Sequence, residues 1–143
     1  MSPEVLFSIA GTLVLPGWAI LIFAPRRWPA LNAVPALVIP LVLSAGYAAL
    51  VMRSFAGAGG GFGSLGAVRD LMGDDGMLLA GWVHYLAFDL IVGSLAAAAM
   101  DRVAVARLIQ APILLLVFLF GPLGWLIAML LTGGLRAAPM PRT

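Results

Sequence analysis

Cysteine and lysine are absent from the 143 residues of this chain, and histidine occurs once, at His84. The lack of cysteine removes disulfides, thiolate nucleophiles, iron–sulfur clusters and cysteine zinc sites together. The lack of lysine leaves eight scattered arginines as the only basic side chains. The pI of 9.9 therefore reflects a shortage of charge, and no basic patch suited to nucleic acid is present. Charged residues make up only 10% of the chain, against about a quarter in a soluble domain. The N-terminal Met1-Ser2-Pro3-Glu4 lacks the positive region of a cleavable signal peptide, so the first apolar run is expected to stay as a helix.

What is present is apolar: 63% of the residues are hydrophobic. Such a chain cannot cover a water-facing surface, and most of it must face lipid or other helices. The runs are continuous rather than alternating, which excludes a barrel. Their length matches a helix crossing the bilayer. Four segments are predicted, over residues 5–23, 34–52, 77–99 and 108–131. The expected fold is all-α: an integral membrane bundle of about four transmembrane helices, forming one domain over residues 1–132. Residues 133–143 are expected to be a disordered tail. The expected location is a bacterial inner membrane.

The turns carry their own signals. Pro25-Arg26-Arg27-Trp28-Pro29 suits a membrane interface. Pro35 fits a first helical turn, and the deeper Pro40 should kink its helix. Residues 54–76 hold eight glycines, with Gly59-Gly60-Gly61 as the most flexible point. Within this stretch residues 64–72 read as a short amphipathic helix lying on the membrane surface, with Ser64 as N-cap and Gly73 as stop. Leu65, Val68 and Leu71 or Met72 share one face. A connection this long suits a lid. Orientation is tied: Arg26, Arg27, Arg102 and Arg107 fall on one side, and Arg53, Arg69, Arg136 and Arg142 on the other. Gly61, Gly63 and Gly66 match G-x-G-x-x-G, but no strand precedes them, so no dinucleotide site is implied. Asp74-Asp75 reads as a solvated helix cap.

Chemistry concentrates on the third segment, in Gly81-Trp82-Val83-His84-Tyr85-Leu86-Ala87-Phe88-Asp89. A carboxyl group in mid-membrane costs roughly 2.5 to 3.5 kcal/mol, so Asp89 should face the bundle interior or a wet cavity. Five residues separate His84 from Asp89, which is about 140° around a helix and about 7.5 Å along it. They border one broad face, with room for one cavity or two. Trp82, Tyr85 and Asp89 form a tighter stripe, and Tyr85 could hydrogen-bond Asp89 one turn away. Gly81 allows a backbone or flat ligand to come close. One reading is an acid–base pair in an apolar pocket, exchanging protons near neutral pH. The other is structural: both groups hydrogen-bond neighbouring helices and fix their packing. A metal held by His84 and Asp89 is the weaker idea, since i, i+5 on one helix is poor geometry for two ligands. In the fourth segment Pro122 frees the carbonyl of Phe118. Gly121 and Pro122 therefore mark a packing kink, with direct ligand binding as the alternative.

The run from Leu79 to Leu90 resembles the hallmark of the abscisic-acid-deficient-four-like membrane family, which includes the plant neoxanthin synthase and bacterial members. The loop helix around Phe62–Leu71, the Phe120-Gly121-Pro122-Leu123-Gly124 motif and Pro16-Gly17-Trp18 with Pro25-Arg26-Arg27-Trp28 are similar to that family too. The resemblance spans about residues 5 to 131. It implies a membrane enzyme acting on a carotenoid or related isoprenoid, by a proton-transfer isomerisation such as epoxide opening, with no cofactor required on paper. On that basis Asp89 or His84 would be the acid and the other the base, assisted by Tyr85. Trp82, Gly81, Phe88, Gly121 and Pro122 would contact the substrate. The expected partners are membrane lipids, a long polyene or isoprenoid, and further copies or a larger membrane complex, with no nucleic acid. The rival expectation is a non-catalytic pigment-binding or scaffold subunit. A transporter is a weaker third reading, because four helices leave little room for a path.

Overall fold

The computed structural model describes residues 1–137. Helix α1 spans Pro3–Phe23. Ser2 caps it by accepting the Val5 N–H, and Pro3 occupies its first position, where a missing N–H is no loss. It stops where Pro25 forces Ala24 into an extended conformation. Helix α2 spans Pro29–Ser54. Pro40 acts here through the turn before it. Residues Val34–Val38 form a π turn closed by the Ile39 N–H on the Val34 carbonyl, and this wider turn makes room for the proline ring.

The short α3, Leu65–Leu71, is capped by Ser64, which accepts the Ala67 N–H at 3.1 Å. The glycine run folds back on it: the Gly61 N–H donates to the Ala67 carbonyl at 3.0 Å. Gly60 has φ +69°, and a Cβ there would overlap backbone atoms of Ala67 and Leu71. Leu71 is buried and Val68 half-buried, but Leu65 stands out of the expected face at 77% exposure.

Helix α4, Asp75–Arg102, starts on the Asp74 cap, whose side chain accepts the Met77 N–H at 2.9 Å. Helix α5, Arg107–Ala137, carries a break at Phe120–Gly121. It continues past residue 133, where the tail was expected. No proline follows Pro122 until Pro139, so nothing in the sequence stops the helix at residue 133. The remainder of that tail lies outside the described residues.

Four of these helices, α1, α2, α4 and α5, are long and apolar enough to cross a membrane, and the chain is a membrane protein. Helix α4 is the centre of the bundle and packs against the other three. In its apolar window 56% of residues are buried, against 28, 22 and 33% in the others. Its small residues explain this, because Ala80, Ala87, Gly93, Ala96 and Ala97 let neighbouring helices come close. At Gly93 the Trp18 ring sits 2.6 Å from where a Cβ would stand.

The α1–α2 and α4–α5 turns meet at one end of the bundle. Arg26 pairs with Asp101 at 3.0 Å. The Arg107 guanidinium donates to the carbonyls of Leu21, Ile22 and Ala24, closing the end of α1. Gln110 is fully buried between them. It donates to Asp101 Oδ1 at 2.7 Å and to the Val105 carbonyl at 2.9 Å, and accepts from Arg107. Replacing Gln110 with Leu strands these partners. The expected loss is about 1–3 kcal/mol, read as a lower unfolding midpoint in detergent. An unchanged midpoint would mean that the polar knot contributes nothing to stability.

Candidate functional site: a buried carboxyl behind an open apolar cleft

Asp89 points into the bundle and is 8% exposed. Its place is made by the break in α5. Pro122 cannot donate to the helix ladder, and its ring crowds the preceding turn. The break falls at Phe120 and Gly121, whose backbone angles are non-helical. Because Gly121 has no side chain, the Asp89 carboxyl lies directly against its backbone. A Cβ on Gly121 would overlap Asp89 Oδ1 and lie 3.1 Å from Cγ. Asp89 Oδ2 is buried with no hydrogen-bond partner. An unmatched acceptor in such surroundings is costly and calls for an explanation beyond the helix ladder.

Tyr85 lies one turn before Asp89. Its hydroxyl donates to the Leu119 carbonyl at 3.4 Å, at the α5 break, and borders the Asp89 carboxyl. The break thus gains a donor from a side chain, as a disrupted ladder within a membrane requires.

The other side of Tyr85 faces a cleft of about 810 Å³ between the starts of α1 and α4. Phe7, Trp82 and Tyr85 form an aromatic stack along it, with ring centroids 5.3 Å (Phe7–Trp82) and 5.5 Å (Trp82–Tyr85) apart. Met72, just past α3, is another wall beside Gly81, where a Cβ would still meet its sulfur at an ordinary contact distance of 3.6 Å. Glu4, Ser8 and Asp75 bring polar groups to it beside the Tyr85 hydroxyl and the Trp82 indole N–H, while the rest of the lining is largely apolar. Phe7, Leu78 and Trp82 are exposed, so the cleft opens sideways, where lipid would lie.

Of the candidates read from the sequence, Gly81, Trp82 and Tyr85 line this cleft. Asp89 and Gly121 meet behind it. His84 and Phe88 do not join them. His84 is exposed on the α2 side of α4, its ring 4.3 Å from that of Phe88 and 5.4 Å from that of Tyr47. The separation of about 140° resolves into two surroundings, and His84 and Asp89 share no pocket. Pro122 is exposed and acts through the break it causes. Among the described residues no three His, Asp or Glu side chains gather as a metal site. Cleft residues that the sequence did not single out as ligand contacts include Phe7, Ser8, Met72 and Leu78, with Glu4 and Asp75. They come from three separate stretches of chain, and only the packing of α1 on α4 unites them.

A family model described as ABA DEFICIENT 4-like matches residues 5–127. No curated protein and no solved structure matches the chain.

Proposed function

The chain belongs to the ABA DEFICIENT 4-like family, and from that premise we propose that it is a membrane enzyme acting on a carotenoid or related isoprenoid by proton transfer. The observation that carries the proposal is the Tyr85–Asp89 arrangement, a buried carboxyl with an unmatched oxygen placed behind the residue that ends an open apolar cleft. The substrate enters sideways from the bilayer and lies along Phe7 and Trp82, with its reacting end at Tyr85. Tyr85 touches the substrate, and Asp89 exchanges the proton with it.

Opening of an epoxide to an unsaturated alcohol fits this pair. An acid protonates the epoxide oxygen as its C–O bond breaks. A base removes a proton from the polyene carbon, and the product is an isomer of the substrate. No oxidant or reductant enters the balance. His84, on the other face of α4, stands outside this chemistry.

The test is the pigment profile of a carotenoid-producing host expressing the chain. A new pigment is expected with the native sequence and with His84→Ala. It should disappear with Asp89→Asn. A profile unchanged by the well-folded native chain across hosts making epoxidised and plain carotenoids would sink the enzyme reading. The aromatic stack also suits a protein that only binds pigment. In that case pigment would co-purify equally with native chain and Asp89→Asn, and no product would form.

A further inference from the structure

Helix α4 packs against three helices, yet one strip of it is left open. His84, Phe88, Ile91, Leu95 and Ala98 follow one another at steps of four and three residues. They fall within about 80° of the helix circumference. His84, Phe88 and Leu95 are exposed, and Ile91 and Ala98 are half-buried. The strip runs in the gap between two neighbours. On one side Tyr47 of α2 lies against the His84 ring, and on the other the Tyr85 hydroxyl reaches α5 at Leu119. The proposed reaction uses none of the side chains on this strip.

His84 limits what can cover it. The residue lies about 14 Å along a helix about 42 Å long, which places it inside a hydrocarbon layer about 30 Å thick. Its neighbours are aromatic rings, Phe88 at 4.3 Å and Tyr47 at 5.4 Å, and among the described residues neither ring nitrogen makes a hydrogen bond. An acyl chain offers no donor and no acceptor, so lipid alone leaves a polar ring unmet. The covering group must bring a hydrogen-bonding atom to this depth.

We propose that the strip is the seam on which two copies of this chain pair in the membrane, with His84 hydrogen-bonded to the same ring in the second copy. Three features select a second copy over another occupant. A neutral imidazole holds one donor and one acceptor nitrogen, so the ring complements itself. Two copies inserted in the same direction carry His84 at the same depth, and a two-fold axis along the membrane normal brings the rings together. Steps of four and three residues are those at which a helix packs on another of like sequence, with Phe88, Ile91 and Leu95 entering the spaces between their counterparts. The pairing is independent of the proposed reaction, because Asp89, Tyr85 and the cleft all belong to one copy.

The chain has no cysteine, so single introduced cysteines report on the pairing. Leu95→Cys, in the seam, is compared with Leu15→Cys on α1; the two native residues are 60% and 52% exposed. Under mild oxidation in membranes, Leu95→Cys is expected to form a disulfide-linked dimer and Leu15→Cys to remain mainly monomeric. The native chain, labelled at its N-terminal amine, is then diluted into excess lipid and its dimer fraction read by single-molecule photobleaching. His84→Leu removes the polar atoms and is expected to weaken pairing about 3- to 30-fold, the worth of one interhelical hydrogen bond in a membrane. His84→Asn keeps a donor and an acceptor and should pair more tightly than His84→Leu. Asp89→Asn should pair as the native chain does, so the pairing and the reaction fail separately. A native chain that is monomeric at every dilution overturns the proposal. So does a dimer unchanged by His84→Leu, equal cross-linking from the two cysteines, or a pigment, lipid or other protein found on the strip in place of a second copy.

Discussion

Asp89→Asn is expected to abolish pigment conversion in a chain that still folds. Asn has nearly the same shape as Asp, so it fits the same space against the Gly121 backbone. Its amide can donate to a nearby carbonyl, so packing survives. It cannot give up and regain a proton as a carboxyl does, and loss of a general acid or base lowers turnover by about 10²- to 10⁴-fold. Tyr85→Phe should give a smaller loss, since it removes the hydroxyl between cleft and carboxyl but leaves the ring in the aromatic stack. His84→Ala should retain activity, because that ring lies on the far side of α4. The measurement is product formed per folded protein in membranes, with folding checked by unfolding in detergent. Full turnover by Asp89→Asn would reassign Asp89 to helix packing, where polar groups in membranes often serve.

The four spans were legible because hydropathy and length suffice to find a membrane helix. Helix starts were legible where a cap marks them, as at Ser64 for the short α3 and at Asp74 for α4. The kink in the last helix was also readable, since Phe120-Gly121-Pro122 joins a missing donor to a residue without a Cβ. Its position just before the proline follows from the ring crowding the turn that precedes it.

The composition of the site was harder to read. His84 and Asp89 invite pairing because they are the one imidazole and the one carboxyl in the middle of that span. Whether two groups 140° apart share a cavity depends on where the neighbouring helices lie. Helix α2 covers the flank near His84, and α5 covers Asp89. Glu4 and Phe7 gave no local signal of their role, because a cleft between the first and third spans is a tertiary fact. Leu65 repeats at helical spacing with Val68 and Leu71, yet α3 docks through Leu71 and the glycine backbone, and Leu65 is left outside.

Gly124→Ala is expected to prevent stable folding, while Gly46→Ala is tolerated. After the break in α5 the chain passes so close to itself that a Cβ on Gly124 would overlap the Val117 nitrogen. It would also sit 2.7 Å from Leu116 carbonyl carbon and Val117 Cα. These are backbone atoms and cannot rotate aside, so relief requires α5 to open. Overpacking of a core typically costs 1–3 kcal/mol when side chains can yield; here about 3 kcal/mol or more is expected. At Gly46, in α2, a Cβ meets nothing within 4 Å. There alanine should stabilise the helix by about 0.5–1 kcal/mol. Unfolding midpoints in mixed detergent, with the yield of membrane-inserted protein, compare the two directly. The consequence reaches the site, because the same break sets Gly121 against Asp89 and offers the Leu119 carbonyl to Tyr85. Opening α5 at Gly124 should therefore remove turnover even in the fraction of protein that remains folded. Equal stability of the two variants would mean that α5 does not close on itself at this point. Asp89 would then need another partner than the one the break provides.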